Sequence, residues 1–335
     1  MQRGKRSRCF CFVAVHSTAR GPSLGGCRMW HYEDSRAAMR DALRLSRAMT
    51  YKSAVAGLPL GGGKGVIMLP ARHVDARRHR AALRDFGDTV DELGGRYITA
   101  EDVGTSAKDM ELIAGQTKYV TGLSRRRGGS GDPSPWTALG VDASIRASLE
   151  RKLGSADPKG RTVVVSGLGH VGFGLAKLLA KAGAKLVVTD IDRSKKALAE
   201  KLGARWVTPA KALTVPADVL APCALGAVLD HESVPNLQVP VVAGAANNQL
   251  ADDPIADLLA ERGILWAPDF VVNAGGIINI SVELERGGYD PERARKRVNG
   301  IGDTLRHIFD LAHADDDTPF SAALTLAARR VAEAG

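Results

Sequence analysis

The feature that most constrains the fold of this chain is a glycine motif placed between two apolar runs. Thr162-Val-Val-Val-Ser166 has the composition of a buried strand, and Gly167-Leu168-Gly169-His170-Val171-Gly172 follows it at once. A helical run from Phe173 to Ala182 comes next, and the apolar run after it ends in Asp190. A strand, glycine turn, helix, strand and acid in this order predict a dinucleotide-binding unit.

Each part of this motif has a physical task in such a unit. Gly167 permits the tight turn, Gly169 lets the backbone approach a pyrophosphate, and Gly172 lets the helix pack closely on the sheet. The helix N-terminus would face the phosphates. Asp190 can accept both hydroxyls of a ribose and would repel a 2′-phosphate, which favours NAD over NADP. Arg193 lies close by in the sequence and leaves room for NADP.

A second informative segment runs from Met49 to Lys64 and contains two lysines. Lys64 directly follows Gly61-Gly62-Gly63, and Lys52 precedes it in the same segment. A glycine run weakens a helix or strand, but it lets the backbone pass close to a ligand. Two ammonium groups in one desolvated pocket would disfavour each other's protonation, so that a lysine there could act as a base. The alternative is a glycine-rich surface turn with two solvated lysines.

Composition places the chain among globular proteins with two domains. It has 335 residues, of which 44% are hydrophobic and 25% charged. No apolar run approaches the roughly 20 residues of a membrane span. The basic start is followed by Cys9–Val15, which we interpret as a buried strand and not as part of a signal peptide.

The cysteines and the positive charge both exclude classes of function. The four cysteines show no metal-binding spacing, so we predict reduced thiols in a cytoplasmic protein and no metal site. The formal net charge is +9, but the arginines are scattered and the few aromatic residues do not alternate with them. This pattern predicts solvated faces and argues against nucleic-acid binding.

Strands and helices alternate along the chain, which predicts an α/β fold. A loop-like segment at Arg125–Pro135 interrupts the pattern and is a candidate hinge. We therefore expect domains at 1–135 and 136–300, followed by C-terminal helices at 301–335. The predicted strands are 9–16, 65–69, 96–100, 162–166, 187–190, 219–221, 239–243 and 265–267. The predicted helices are 33–49, 73–93, 138–153 and 173–182, with a further helix opening after Gly275-Gly276.

Eight separated motifs resemble, in order, those of the Glu/Leu/Phe/Val family of amino-acid dehydrogenases. They are Gly21-Pro-Ser-Leu-Gly-Gly26, Met49-Thr-Tyr-Lys52, Gly61-Gly-Gly-Lys64, Thr99-Ala-Glu-Asp-Val-Gly-Thr105, Gly131-Asp-Pro-Ser-Pro-Trp-Thr137, Gly167-Leu-Gly-His-Val-Gly172, Gly244-Ala-Ala-Asn-Asn248 and Pro268-Asp-Phe-Val-Val-Asn-Ala-Gly-Gly276. The resemblance implies an N-terminal α/β substrate-binding domain and a C-terminal Rossmann NAD-binding domain with a cleft between them. It also implies that the C-terminal helices return to the first domain.

The resemblance also implies the catalytic roles. Lys52 would pair with the substrate carboxylate, helped by the backbone of Gly25 and Gly26. Lys64 would activate the water that attacks the imine, and Asp102 would move protons to and from the amino group. An amine that loses a proton needs a nearby acceptor, which explains the acid. Taken alone, Lys52 could be a solvated helix residue and Asp102 could be a helix cap.

Two further residues complete the implied contacts with substrate and cofactor. Thr137 would bond the nicotinamide carboxamide, and Asn247 would align substrate and cofactor. An ordinary turn is the alternative interpretation of Asn247. Trp136, beside Thr137, replaces what is often a smaller residue in the family, and it would either crowd the cofactor or pack at the hinge.

Four positions bear on the substrate side chain. Leu24 stands where glutamate-specific members resemble lysine, and a leucine cannot pair with a side-chain carboxylate. Ile277 and Ile280 align with the family's side-chain pocket, and Ala100 stands where aromatic-preferring members tend to have glycine. These residues favour branched aliphatic substrates, and one methylene discriminates among them by only ~1–3 kcal/mol. Ordinary core isoleucines are the alternative interpretation of Ile277 and Ile280.

The sequence therefore predicts reversible, NAD-dependent oxidative deamination of leucine, valine or isoleucine to the 2-oxo acid and ammonium. An aromatic amino-acid dehydrogenase acting on phenylalanine is one alternative. A non-catalytic NAD-binding regulator is another, but it would be expected to lack Lys64 or Asp102. A homo-oligomer is expected from the family, although the N-terminal segment before Gly21 is shorter than usual.

Overall fold

The computed structural model describes residues 1–224 and 226–335, and the chain divides into two compact units. Unit 1 comprises Met1–Pro133, Asn279–Pro291 and Ala327–Gly335. Unit 2 comprises Ser134–Ile278 and Glu292–Leu326. The main division falls at Pro133, beside the composition break that suggested a boundary at 135.

Unit 1 is a mixed sheet with helices on both faces. Its strands are β1 (Gln2–Arg3), β2 (Phe10–Ser17), β3 (Ser23–His31), β4 (Gly61–Leu69) and β5 (Tyr97–Glu101), and its first helices are α1 (Ser35–Val55), α2 (Ala76–Asp91) and α3 (Ala107–Ile113). The strand order is β1-β2-β4-β3-β5. Strand β2 is antiparallel to β1 and β4, whereas β3 is parallel to β4 and β5.

Successive side chains along the strands of unit 1 point to opposite faces of the sheet and contribute to two separate hydrophobic cores. Phe12 and Val66 pack with Ala38 and Ala42 of α1 on one face. On the other face a larger cluster contains side chains from β2 to β5, α2 and α3: Cys9, Cys11, Cys27, Met29, Ile67, Leu69, Ala82, Leu83, Phe86, Val90, Tyr97, Met110, Ile113 and Val120. Adjacent residues such as Val66 and Ile67 therefore pack in cores on opposite faces of the sheet, because successive side chains of a strand point to opposite faces.

The prediction that β4 begins after the glycine run is wrong. Gly61, Gly62 and Gly63 belong to the strand, and all three are buried. A Cβ on Gly62 would lie 2.0 Å from the backbone nitrogen of Thr50, so only glycine lets α1 approach β4 this closely. Tight packing between the helix and the strand outweighs the poor strand propensity of glycine.

Three other elements of unit 1 also differ from the prediction. Helix α1 is capped by Asp34, whose side chain accepts a hydrogen bond from the Ala37 amide at 2.6 Å, and it continues past its predicted end at Met49 to Val55. Helix α2 begins later than predicted and is capped by Asp75. Strand β3 was not predicted, because the adjacent glycines Gly25 and Gly26 are typical of a loop.

Unit 2 is a parallel sheet with the strand order of a dinucleotide-binding fold. Its elements are α4 (Ser134–Leu153), β6 (Thr162–Ser166), α5 (His170–Lys181), β7 (Lys185–Thr189), α6 (Lys196–Lys201), β8 (Arg205–Trp206), α7 (Pro209–Ala212), β9 (Val219–Pro222), β10 (Val241–Val242), α8 (Ile255–Glu261), β11 (Leu265–Trp266) and α9 (Asp269–Val272). The order β11-β10-β9-β6-β7-β8 reverses direction between β6 and β9. This is the switch point at which such sheets bind ligands, and the predicted α/β Rossmann architecture is confirmed.

The C-terminal helices do not all return to the first unit, contrary to the prediction for 301–335. They are α10 (Gly275–Glu283), α11 (Pro291–Asn299), α12 (Ile301–Ala314) and α13 (Pro319–Ala332). Helix α12 buries Leu305, Ile308 and Phe309 and contacts α4, so it belongs to unit 2. In α13 only the end belongs to unit 1, where the Arg330 guanidinium donates to the carbonyls of Ala54 and Val55.

Candidate functional site

The centre of unit 1 contains a buried ion pair between Lys64 and Asp102. The Lys64 ammonium donates to the Asp102 carboxylate, and the lysine side chain is 7% exposed. Strand β3 lies between the two strands that supply them, and Cys27 pairs in register with both Gly65 and Glu101. Lys64 precedes Gly65 and Asp102 follows Glu101, so the two groups meet diagonally across β3.

Glycines in β3 make this meeting possible. A Cβ on Gly26 would lie 2.7 Å from the Asp102 Cβ, and a Cβ on Gly25 would lie 1.7 Å from the Gly63 carbonyl oxygen. The Gly25 carbonyl accepts a hydrogen bond from the Tyr97 hydroxyl at 2.6 Å. The two glycines therefore have a structural task beside their predicted contact with the substrate carboxylate.

Asp102 is held by its backbone as well as by its charge partners. Its amide donates to the Thr105 hydroxyl at 2.9 Å, and that hydroxyl donates to the Cys27 carbonyl at 2.8 Å. Burial would raise the pKa of Asp102, but the Lys64 ammonium and the Arg28 guanidinium outweigh it and lower the pKa below its ordinary value. Asp102 is therefore an ionised carboxylate in this environment.

The remaining substrate-contact candidates of unit 1 lie around the pair or on α1. Leu24, Ala100 and Ile280 are buried, and Ala100 pairs in register with Gly26. Lys52 is partly exposed on the last turn of α1. Their contact with a substrate stays a prediction.

In unit 2 the glycine motif forms a phosphate-binding geometry at the start of α5. Gly167 has φ +108°, and a Cβ on Gly172 would lie 1.9 Å from the Gly167 carbonyl oxygen. A Cβ on Gly169 would meet no described heavy atom within 4 Å, and no described side chain caps the helix there. His170 and Val171 are the first residues of the helix. These residues fit the pyrophosphate of a dinucleotide.

Asp190 follows β7 and holds the glycine turn. Its carboxylate accepts from the Leu168 amide at 2.7 Å, the Asp192 amide at 2.9 Å and the Lys195 ammonium at 2.9 Å. Burial would raise the pKa of Asp190, but these hydrogen bonds and the lysine charge lower it below its ordinary value. Sequence reasoning missed Lys195, because its pairing depends on the turn after Asp190. Contact with a ribose stays a prediction.

Asn247, Thr137 and Ile277 are the remaining candidates of unit 2. The Asn247 side-chain oxygen accepts from Asn273 Nδ2 at 2.9 Å. Asn273 was not predicted, although it stands in the motif that ends at Gly276; its own side-chain oxygen is buried without a hydrogen-bond partner among the described residues. Thr137 lies on α4 against the start of α10, where Ile277 is buried.

Trp136 is packed within unit 2. It is 7% exposed, and the Arg295 guanidinium lies 6.0 Å from its ring centre. Trp136 therefore packs within unit 2, and crowding of a cofactor by its ring stays a prediction.

Two sequence profiles match the chain. The profile described as "Glu/Leu/Phe/Val dehydrogenase, dimerisation domain" matches residues 1–119. The profile described as "Glutamate/Leucine/Phenylalanine/Valine dehydrogenase" matches residues 188–335. Together they span parts of both units.

Characterised relatives are similar over nearly the whole chain. Leucine dehydrogenase of Thermoactinomyces intermedius is 45% identical over 332 residues, which cover 99% of this chain and 89% of that protein. Valine dehydrogenase of Streptomyces virginiae is 43% identical over 326 residues, covering 96% and 90%. The crystal structure of L-tryptophan dehydrogenase from Nostoc punctiforme has a TM-score of 0.85 and 40% identity, covering 98% of this chain and 94% of that one.

Proposed function

The chain belongs to the Glu/Leu/Phe/Val dehydrogenase family, and we propose that it catalyses the reversible, NAD-dependent oxidative deamination of branched-chain L-amino acids. The products are the 2-oxo acid, ammonium and reduced cofactor. The observation that carries this proposal is the buried Lys64–Asp102 pair, which supplies a proton donor and a proton acceptor at one place. Similarity to leucine and valine dehydrogenases supports the same substrate class.

In the proposed reaction the chain's residues bind the substrate and move protons. Lys52 holds the α-carboxylate, and Asp102 takes a proton from the amino group. NAD, when bound, would supply the hydride acceptor for the α-carbon, and the substrate would become an imine. Lys64 must first lose its proton to solvent; as the neutral amine it takes a proton from the water that attacks the imine carbon, and the resulting ammonium stabilises the oxygen of the carbinolamine. Asp102 returns its proton to the nitrogen, the C–N bond breaks as the carbonyl forms, and the departing ammonia takes the hydroxyl proton of the carbinolamine to become ammonium.

Substrate preference follows from the side chains at the four pocket positions. Leu24 is 1% exposed and offers no charge, so a glutamate side chain placed beside it would be desolvated without a partner. Ala100 leaves less room than the glycine that aromatic-preferring members tend to have, and Ile277 leaves less room than the small residue of some of those members. The likeness to a tryptophan dehydrogenase keeps an aromatic substrate as the second candidate.

NAD is the proposed cofactor on the strength of Asp190. A negative charge at the end of β7 attracts ribose hydroxyls and repels a 2′-phosphate. The Lys195 ammonium offsets part of this charge, so some use of NADP is consistent with the site.

A homo-oligomer is proposed because unit 1 carries most of the large exposed apolar side chains. Those of unit 1 are Met1, Val15, Trp30, Met39, Leu43, Val103 and Leu284. Apolar surface of this kind is typical of contacts between subunits. The four cysteines are free thiols, which supports the proposed cytoplasmic location. No helix among the described residues is long and apolar enough to cross a membrane.

The direct test is formation of reduced nicotinamide from a panel of L-amino acids at alkaline pH. Leucine, valine, isoleucine, phenylalanine and glutamate are each assayed with NAD and with NADP. We expect the branched-chain substrates with NAD to give the highest kcat/KM. Lys64→Ala should lose at least about 100-fold in kcat, whereas Lys108→Ala, an exposed lysine on α3, should not. Activity on glutamate alone, or full activity in Lys64→Ala, would contradict the proposal.

A further inference from the structure

Arg28 is a cation beside the catalytic pair that sequence reasoning did not identify. It lies on β3 after Gly26, and its side chain is 23% exposed. Its Nη1 donates to Asp41 Oδ2 on α1 at 2.8 Å, and its Nε lies 3.4 Å from Asp102 Oδ2. That Nε is buried and has no hydrogen-bond partner among the described residues. The guanidinium thus donates to the Asp41 carboxylate and places its Nε, without a hydrogen bond, 3.4 Å from the Asp102 carboxylate.

We propose that Arg28 is a positioning residue that keeps Asp102 ionised and turned toward Lys64 while Lys64 changes its own protonation state. This inference rests on the proposed function, in which Lys64 gains and loses a proton. A guanidinium does not titrate in the working range of an enzyme, whereas an ammonium can. Without Arg28, each loss of a proton from Lys64 would leave the Asp102 carboxylate with neither of these two charge partners.

The other titratable groups that face Asp102 carry no charge that could replace Arg28. Cys27 lies on β3 and Tyr97 on β5, and burial raises the pKa of both well above their ordinary values. Both are therefore neutral at the pH of the reaction. The Asp102 carboxylate pairs with the Lys64 ammonium on β4 and lies 3.4 Å from the Arg28 Nε on β3.

Arg28 is itself held by a second carboxylate on α1. Asp41 Oδ2 also accepts from the Tyr32 hydroxyl at 2.7 Å, and Asp41 Oδ1 accepts from Arg44 Nη2 at 3.0 Å. Burial would raise the pKa of Asp41, but Tyr32 and the two arginines lower it below its ordinary value. An ionised Asp41 holds the Arg28 guanidinium in place, and its negative charge also offsets part of the positive charge that acts on Asp102. Removing Asp41 should therefore leave more of that charge to Asp102.

The first measurement follows the ionisation of Asp102 without requiring turnover. The full-length protein is labelled with ¹³C at aspartate carboxyl carbons, and the Asp102 signal is assigned by its loss in Asp102→Asn. In Arg28→Met we expect its titration midpoint to rise by about one pH unit, since a nearby opposite charge lowers a carboxyl pKa by about 1–3 units. Arg28→Lys should titrate near the wild type. An unchanged midpoint in Arg28→Met would overturn the proposal.

Two other variants separate this role from a merely structural one. Asp41→Asn should move the Asp102 midpoint in the opposite direction, to lower pH. Arg44→Met removes a cation that touches only the outer oxygen of Asp41, and it should leave the midpoint in place. Should Arg28→Met fail to fold, Asp41→Asn and Arg28→Lys still decide the matter: a midpoint in Asp41→Asn that rises or stays constant contradicts the proposal.

Kinetics then connect the charge to the reaction. Losing a cation raises the carboxyl pKa, so Asp102 becomes protonated at higher pH and the acidic limb of the kcat/KM profile should move to higher pH in Arg28→Met. The substrate KM at the optimum should change less than kcat. If Arg28→Met lost activity equally at every pH, with no shift of the acidic limb, the role of Arg28 would be structural and the proposal would be contradicted. If the wild type shows no turnover, the proposed function fails, while the midpoint shift still tests Arg28 by itself.

Discussion

Leu24 is the single side chain whose replacement tests the proposed substrate preference most simply. It is buried on β3, directly before the two glycines that flank the catalytic pair. Leu24→Lys would place an ammonium at the position where the apolar Leu24 side chain is proposed to contact an aliphatic substrate side chain. We expect kcat/KM for leucine to fall by at least about tenfold, because burying an unpaired charge is costly, and glutamate oxidation to become measurable.

The matched control for this prediction is Leu24→Met, which keeps the side chain apolar and of similar volume. It should retain most of the activity on leucine and gain none on glutamate. Kinetics with both substrates check the prediction. Equal losses in the two variants would show that packing, and not charge, governs this position.

At the residue scale, the types of chemical group were predictable but their partners were not. Motifs identified Lys64, Asp102 and Asp190 because these functions need a lysine or an acid at such spacings. The partners Arg28 and Lys195 depend on strand register and on the course of a turn, which the sequence does not show. The sequence predicted that the charge of Lys52 would disfavour protonation of Lys64, but it did not predict the carboxylate partner that the structure shows for Lys64.

At the element scale, the close contact between α1 and β4 determines where Lys52 and Lys64 stand. Gly62→Ala would place a methyl group 2.0 Å from the Thr50 nitrogen, two residues before Lys52 on α1. The helix must shift, so we expect a loss of about 1–3 kcal/mol in the free energy of unfolding and a higher substrate KM. Denaturant unfolding and initial rates measure the two effects.

Gly115→Ala is the matched control in the same unit. The heavy atom nearest to an added Cβ would be the Leu112 carbonyl oxygen at 3.3 Å, in the last turn of α3 just before Gly115, so this change should cost much less stability than Gly62→Ala. If both variants lost the same stability, close packing at Gly62 would not be the reason for its glycine. Close packing of α1 also explains why the sequence did not predict that β4 begins at Gly61, since strand propensity alone does not show that a helix lies against a strand.

At the scale of the whole molecule, buried carboxylates make stability depend on pH. Asp85 accepts hydrogen bonds from the Ser7 amide at 2.8 Å and its hydroxyl at 2.7 Å, and it pairs with Arg6 at 3.1 Å. Burial would raise the pKa of Asp85, but these contacts lower it below its ordinary value. Its contribution is therefore complete above about pH 4, the pKa of an unfolded aspartate, and is lost as pH falls through the lower folded pKa.

Asp85→Asn should lower the melting temperature at neutral pH, and the difference from the wild type should shrink as the solution is acidified. Asp88→Asn is the control, because Asp88 also contacts Arg6 but its side chain is 41% exposed. Thermal unfolding followed across the acidic range checks both variants. A difference that stays constant with pH would show that charge on Asp85 does not stabilise the N-terminal segment.

The two-unit architecture was predictable because strands, helices and motifs alternate in a recognisable order. The path of the C-terminal helices was not predictable from the sequence. Helix α12 belongs to unit 2 because of the side chains that it buries and its contact with α4. Sequence patterns show that a helix has an apolar face, but they do not show which neighbour covers it.

The central claim is that this chain removes a hydride from the α-carbon of a branched-chain amino acid and delivers it to NAD. The most direct test uses L-leucine labelled with deuterium at the α-carbon and mass spectrometry of the reduced cofactor. We predict one deuterium in the reduced cofactor, together with equal amounts of the 2-oxo acid and ammonium. Reduced cofactor without deuterium, or no reduction with any branched-chain substrate, would contradict the account.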